Sequence, residues 1–591
     1  MGKRRDNGLI LPAKFIAELE AILDTGIHRC RIEPRKIKWL DELLHNYGID
    51  TLSPEELGQA YEQLYADTSR RKKSGIYYTP PEVVWMIVDE TVGGWCDAHP
   101  GSMPHLLEPA CGAGAFATAV FEKLWGINRE SKDKKGLIRQ ICEAIHLNDI
   151  DPSALAIAAL CMARKIKNVT GPVKEEIRLN VSSTDFLDVG QWMEENQDRP
   201  QFDVIIGNPP YISYYGRGSQ GITETMRHEW ARHFISARGR VNTYLLFIEM
   251  ALKLLAPAGR IGFVIPNTFL IMKSYEKLRR YVLDTCHLRF IADLSLGIFP
   301  GAEVPCCVIV IEKRDPEELK LDHPVKVFRN TDDNKRRDVE LDTGRFRRLP
   351  YVMFNVGLDK TMCEIIDRME SGAEQLRMFV DVRDGINPAN IKSKIISPTR
   401  DGPNYKPVLQ GRDVKPYFID WSGMFVNYSP EAVDESKGEY CFFREERIFL
   451  AKKKLVNRQT AKRLIAALDE NCFYALNSCH LTLIEDDRLD ILYLLALYNS
   501  DLLNFYYATV FRDTEKVFPQ VKTANIEKLP LKFGDPQLLA DIVAHAARLS
   551  ELGADIKEQK EISAEIESGL ASIYGLSNAQ VGYMRGRMTA K

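Results

Sequence analysis

Along the first 70 positions the apolar residues Phe15, Leu19, Ile22 and Leu23 fall at helical spacing, and Ser53-Pro54-Glu55-Glu56 reads as the cap and first turn of a further helix. From about residue 75 the pattern changes to short apolar runs separated by amphipathic stretches. Strands are expected at 105–107, 144–147, 177–181, 202–206, 260–265, 291–296 and 304–311, and helices at 115–124, 153–165, 243–255 and 275–284. Connections long enough for crossovers make this the pattern of a mostly parallel sheet covered by helices. The last two strands lie close together, which predicts an antiparallel pair at one edge.

After Lys313-Arg314-Asp315-Pro316-Glu317-Glu318 the alternation lapses into turns, short apolar runs and basic patches, and from Pro536 the chain reads as a long amphipathic helix broken near Gly553. Four segments are therefore expected: a helical extension over 1–70, an α/β domain over 71–330, a mixed α/β domain over 331–535 and a helical segment over 536–591. At 591 residues with 45% hydrophobic content, the chain is too long for one core, which agrees with several domains.

The formal charge of -3 leaves room for a local basic surface inside a balanced total. The twelve cysteines show none of the paired short spacings of structural zinc, so no metal is expected and a reducing compartment is the simple reading. No signal-type apolar core follows the polar start Met1-Gly2-Lys3-Arg4-Arg5-Asp6, and no apolar run approaches the ~18 residues of a membrane span. The expectation is a cytoplasmic protein without a membrane partner.

Chemistry is densest at Phe202-Asp203-Val204-Ile205-Ile206-Gly207-Asn208-Pro209-Pro210-Tyr211, an apolar strand that runs directly into two prolines. Proline cannot continue a ladder, so the strand stops there and the backbone is held stiffly. The Asn208 side chain and the Pro209 carbonyl can then point to one spot as acceptors for an amino group, with the Tyr211 ring beside them.

Upstream, His105-Leu106-Leu107-Glu108-Pro109-Ala110-Cys111-Gly112-Ala113-Gly114-Ala115 is a strand, a glycine-containing turn and a helix start. It lacks both the dinucleotide fingerprint and the lysine of a phosphate-binding loop, so the ligand expected there is a nucleoside without phosphates. Acids follow the next two strands, in Leu147-Asn148-Asp149-Ile150-Asp151 and Thr184-Asp185-Phe186, and could take ribose hydroxyls and an adenine amino group. Asp149 and Asp151 compete for the ribose role, because 35 residues separate Gly114 from Asp149 where ~20 is usual in dinucleotide folds.

Taken in order, Gly75-Ile76-Tyr77-Tyr78-Thr79-Pro80-Pro81, Glu108-Pro109-Ala110-Cys111-Gly112 and Asn208-Pro209-Pro210-Tyr211 resemble the TaqI-type gamma class of adenine-N6 DNA methyltransferases over about residues 70–575. The resemblance implies an S-adenosylmethionine-dependent methyltransferase fold, Rossmann-like with a seven-stranded mostly parallel sheet, followed by a target recognition domain. It implies S-adenosyl-L-methionine as cofactor and double-stranded DNA as partner, acting as a monomer, with a companion restriction endonuclease left open. Tyr78 and Thr79 would close over the methionine part of the cofactor, and Glu108, Ala110, Cys111 and Gly112 would line its amino end. Asp149 and Ile150 would hold the ribose side, Asp185 and Phe186 the adenine, and Asn208 would touch both cofactor and target. Asn208, Pro209, Pro210 and Tyr211 would be catalytic, and Phe299 in Leu296-Gly297-Ile298-Phe299-Pro300-Gly301 would stack on the far face of a flipped adenine.

The second domain carries Gln410-Gly411-Arg412-Asp413-Val414-Lys415-Pro416-Tyr417, which also resembles recognition domains of restriction-modification enzymes. Lys452, Lys453, Lys454, Arg458, Lys462 and Arg463 cluster there with no acid among them. Lys452, Lys453, Lys454, Arg458 and Arg412 are the expected DNA contacts, acting on phosphates. The competing readings are methylation of a protein glutamine or of RNA by the same Asn-Pro-Pro-Tyr chemistry, and a catalytically inactive specificity subunit. Residues 1–70 show no carboxylate cluster of a nuclease, so methylation without cutting is expected.

Overall fold

The computed structural model describes residues 53–58, 79–171, 179–196, 201–213, 222–239, 241–294, 304–315, 317–318, 321–330, 336–511, 520–552 and 556–589. Most of the expected N-terminal extension lies outside these residues; within it, residues 54–58 are helical. The chain divides into two compact units, Met1–Gly357 and Leu358–Lys591.

Among the described residues of the first unit there are nine strands: β1 (Leu106–Glu108), β2 (Ile145–Asn148), β3 (Asn180–Ser182), β4 (Phe202–Gly207), β5 (Leu255–Pro266), β6 (Cys286–Asp293), β7 (Cys306–Lys313), β8 (Pro324–Asn330) and β9 (Arg336–Asp342). Their order is β3-β2-β1-β4-β5-β7-β6-β8-β9. The first five are parallel, while β7 runs antiparallel between β5 and β6. The antiparallel pair expected from the sequence is present, but it is interior rather than at an edge. Seven strands were expected; β8 and β9 add two more beyond β6, over residues that straddle the expected domain boundary at 330.

Burial explains why the central runs are continuously apolar. In β4 and β7 nearly every residue is buried, as it must be in a sheet covered on both faces. Val204 and Ile206 of β4 and Val308 and Val310 of β7 share one core with α1 (Pro81–Val88), α2 (Ala115–Ile127) and α3 (Pro152–Thr170). Their alternates point to the opposite face. There α4 (Glu224–His233) and the almost wholly buried α5 (Thr243–Leu254) follow the catalytic candidate loop, and α6 (Glu276–Thr285) precedes β6.

In the second unit the main strands are β10 (Val380–Asp384), β11 (Ile396–Ser397), β12 (Tyr405–Leu409), β13 (Phe425–Asn427), β14 (Lys454–Arg458), β15 (Ala466–Asp469), β16 (Tyr474–Ala475) and β17 (Cys479–Ile484). They form two four-stranded sheets, β10-β17-β14-β15 and β11-β13-β12-β16. Val408, Leu409, Val426, Val456, Ala467, Tyr474 and Leu481 draw both into one core. The tail is helical as expected, over Pro536–Leu552 and Ile556–Ile573, and a further helix spans Asn578–Thr589. Among the described residues no helix is long and apolar enough to cross a membrane.

Candidate active site

The strand order reverses between β1 and β4: the chain winds outward through β2 and β3 on one side, and β5 continues the other. Open α/β sheets bind ligands at the carboxyl ends of the strands at such a switch point. The two loops singled out in the sequence, after β1 and after β4, leave the sheet side by side there.

Glu108 ends β1 almost fully buried, and its Oε2 accepts from the Ala117 N–H at 3.0 Å. A carboxylate in the first turn of α2 meets unsatisfied N–H groups and the positive end of the helix dipole. The turn between needs Gly114, whose φ is +79°; a Cβ there would lie 3.0 Å from Ala158 Cβ and 3.1 Å from Ala158 Cα. Glycine thus lets α2 approach α3 closely. Burial pushes the Cys111 thiol well up, with Asp149 and Glu108 adding to it, so this cysteine stays neutral and is no nucleophile.

The three loops after β1, β2 and β3 are stapled together by Asn148, which sequence reasoning did not single out. Its Nδ2 donates to the carbonyls of Pro109 and Thr184, both at 3.0 Å, and its Oδ1 accepts from Ser182 Oγ at 2.8 Å and Thr184 N–H at 3.2 Å. Only an amide side chain supplies two donors and a two-fold acceptor at one point. Asp149 adds a second tie, accepting from the Gly112 and Asp151 N–H groups at 2.9 Å each. Each carboxylate oxygen keeps acceptor capacity beyond its backbone partner.

Ile150, 70% exposed, is an apolar side chain standing in solvent beside Asp149 at the carboxyl end of β2. Across from it, burial pushes the Asp185 carboxyl above its usual range, opposed by the Leu187 N–H that it accepts at 2.9 Å. Phe186 is buried, its ring packed 4.9 Å from Phe247 and 5.2 Å from Trp192. Carboxylates paired with an exposed apolar residue, and no lysine in the 109–114 turn, suit a nucleoside rather than a phosphorylated ligand. A small cleft adjoins this region, lined among others by Thr79, Ala113, Thr118, Trp85 and Lys165.

After β4 the Asn208 amide is held from both ends. Its Nδ2 donates to Thr79 Oγ1 at 3.1 Å, and its Oδ1 accepts from the Tyr211 hydroxyl at 2.7 Å. That hydroxyl also lies 3.0 Å from the Val264 carbonyl, and burial pushes its pKa well up, so it remains a neutral donor. The Tyr211 ring meets Tyr244 edge-on at 6.0 Å. Gly207, at φ +155°, ends the strand in a conformation that an L side chain would strain. Thr243, also not singled out in the sequence, binds the same loop through its hydroxyl. Tyr78 and Phe299 lie outside the described residues.

The expected DNA contacts separate in space. Lys452 and Lys453 are exposed, Lys453 pairing with Glu470 at 3.0 Å, and Arg412 is 67% exposed. Lys454 is not available to DNA: it is fully buried, and its Nζ lies 2.6 Å from Asp469 and 2.7 Å from the Phe449 carbonyl. The reason is that β14 begins at Lys454 and its first four residues are all buried, so the strand carries the lysine into the interior with it. Arg458 is turned back onto the protein, donating to the Val414 carbonyl at 2.8 Å. It thereby buttresses the 411–414 turn.

Against known proteins, the N-6 DNA Methylase family profile matches residues 52–343 and the TaqI-like C-terminal specificity domain profile matches 406–531. The type II methyltransferase M.TthHB8I of Thermus thermophilus is 26% identical over 341 residues, covering 56% of this chain and 72% of its own length. The type II restriction enzyme and methyltransferase RM.Eco57I of Escherichia coli is 22% identical over 418 residues, 58% of this chain but 41% of that protein. Among solved structures, the type IIL restriction-modification enzyme MmeI in complex with DNA has the same fold, with a TM-score of 0.56, 12% identity and coverage of 94% of this chain and 85% of that one.

Proposed function

We propose that the chain methylates the N6 amino group of an adenine flipped out of double-stranded DNA, at a site chosen by the second unit, a reading supported by the match of residues 52–343 to the N-6 DNA Methylase family and of residues 406–531 to the TaqI-like C-terminal specificity domain. The observation that carries the reading is the Asn208 loop, held rigid at the switch point between Thr79 and Tyr211.

Thr79, Glu108, Ala110, Cys111, Gly112, Asp149, Ile150, Asp185 and Phe186 would hold S-adenosyl-L-methionine. Bound there, it supplies an electrophilic methyl group. Everything else falls to the protein. The lone pair of an adenine amine is delocalised into the ring, so the nitrogen must be persuaded to present it. Asn208 Oδ1 and the Pro209 carbonyl would accept the two N–H bonds and favour a pyramidal nitrogen. The Tyr211 hydroxyl takes one acceptor site on Oδ1, and a carbonyl oxygen has two. With the acceptors fixed before the base arrives, orientation and preorganised dipoles lower the barrier, with no covalent enzyme intermediate. Extruding the base costs a few kcal/mol.

The test is product identity. Purified protein, S-adenosyl-L-methionine labelled in its methyl group and duplexes of varied sequence should yield N6-methyladenine on nucleoside digestion, in a single sequence context. Label in N4-methylcytosine, or in a glutamine peptide with none in DNA, would overturn the assignment.

Lys452 and Lys453 remain as phosphate contacts in this reading. Each neutralised phosphate adds about 0.9 to the slope of log affinity against log salt, so replacing both with alanine should flatten that slope by up to ~1.8. The loss should be nearly the same for specific and random duplexes, because phosphate contacts carry no sequence information. Anisotropy titrations at several salt concentrations measure it, and an unchanged slope removes these lysines from the interface.

A further inference from the structure

Proline at both 209 and 210 leaves the catalytic candidate loop without backbone donors at two successive residues, directly after the ladder of β4 ends at Gly207. Its anchorage must come from elsewhere, and part of it comes from one buried side chain. Thr243 Oγ1 accepts from the Ile212 N–H at 3.0 Å and donates to the Pro210 carbonyl at 2.5 Å. The Thr243 N–H in turn donates to the Ile212 carbonyl at 3.0 Å, which satisfies one of the orphan donors at the start of α5. Next to this, Ser213 and Asn242 form an antiparallel bridge. A neck two residues wide therefore joins the loop to the helix across the intervening 28 residues, 214–241.

We infer that Thr243 is a positioning residue for methyl transfer: its hydroxyl fixes the Pro210 peptide, and through it the Pro209 carbonyl that accepts the target amine. The inference rests on the function proposed above. Thr243 is suited to the task because its β-branched side chain has few rotamers and because the ten residues 243–252 at the head of α5 are all buried, so that the helix cannot shift alone. No other side-chain type carries both a donor and an acceptor on one atom at this reach except serine. Valine has the same shape but leaves the Ile212 N–H and the Pro210 carbonyl without their partner in a buried place, and the loop must move to satisfy them.

The test compares T243V and T243S in the full-length protein. A displacement of ~1 Å at a reacting group can cost about 100-fold in rate. T243V should accordingly lower the single-turnover rate of adenine methylation by roughly 10- to 100-fold. Calorimetric affinity for S-adenosylhomocysteine and anisotropy with duplex DNA should stay at wild-type values. T243S, which keeps the hydroxyl, should recover most of the rate. Equal losses in T243V and T243S, or a T243V loss matched by weaker cofactor or DNA binding, would make the residue a packing element and overturn the role, as would an unimpaired T243V. If T243V melts below the assay temperature, T243A carries the same comparison. Failure of the wild-type protein to form N6-methyladenine would count against the proposed function itself, whereas an active wild type with an equally active T243V counts only against the role of Thr243.

Discussion

Asn208→Ala is expected to lower the rate of methyl transfer by about 100- to 1,000-fold, the scale seen when one preorganised hydrogen-bonding group is removed from a reaction centre, while affinity for the cofactor stays near that of the wild type. Two features of the site set this split. Asn208 directly follows β4, whereas the carboxylates expected to hold the cofactor end β1 (Glu108) or follow β2 and β3 (Asp149 and Asp185), and those loops are tied to one another through Asn148. Losing the Asn208 amide removes the acceptor and releases its two neighbours, Thr79 Oγ1 and the Tyr211 hydroxyl, but leaves the Asn148 network intact. Alanine also creates little strain, because Asn208 is only half-buried. Single-turnover kinetics with calorimetric binding separates the effects. A variant with near-normal turnover would show that Oδ1 is not the acceptor, and one that binds cofactor poorly would move Asn208 to the cofactor side.

How much of this was legible in the sequence depends on how local each device is. The loop after β4 could be read because its signal is contiguous: a buried strand, two prolines and an aromatic. So could the β1 turn, where Gly114 has a backbone reason that the structure makes explicit in the short distance to Ala158. Asn148 and Thr243 could not. Asn148 acts on Pro109 and Thr184, 39 and 36 residues away, and Thr243 acts on Pro210 and Ile212 across the 214–241 stretch. Nothing in an isolated asparagine or threonine announces a distant partner. Strand β9 was missed for a different reason. Arg336-Arg337-Asp338-Val339-Glu340-Leu341-Asp342 is charged at most positions, as suits an edge strand that must not recruit another sheet, and its weak alternation resembles a loop.

The basic stretch of the second unit shows the limit of reading charge from composition. Three lysines in a row look equivalent, yet the strand that starts at the third sends it inward, against the residue opposite it in the β14–β15 ladder. Lys454 and Asp469 are both fully buried with 2.6 Å between Nζ and Oδ2. The remaining capacity of Asp469 is used by the Asn471 N–H at 2.8 Å and the Phe473 N–H at 3.0 Å. A charge pair this well enclosed is a structural tie that holds two strands and the following turn in one arrangement.

Lys454→Ala should therefore act on stability and not on the salt dependence of DNA binding. Removing one partner leaves the Asp469 carboxylate buried without its counter-charge, and breaking buried pairs in this way costs about 3 to 5 kcal/mol. The two amides that Asp469 accepts keep it from being wholly unsolvated, which places the expectation toward the lower end of that range. Because the chain has two units, one melting temperature does not isolate the effect. Hydrogen exchange over 454–458 and 466–469 does, and protection there should fall while strands β1 to β5 stay unchanged. Lys454→Met combined with Asp469→Asn supplies the control: with neither charge present the burial penalty disappears, and replacing a buried ion pair by uncharged groups of similar volume is often neutral. The double variant should recover most of the lost protection. Should Lys454→Ala instead leave exchange untouched and flatten the salt slope as the Lys452 and Lys453 substitutions are expected to, the buried pair would not hold in solution and Lys454 would belong with the phosphate contacts after all.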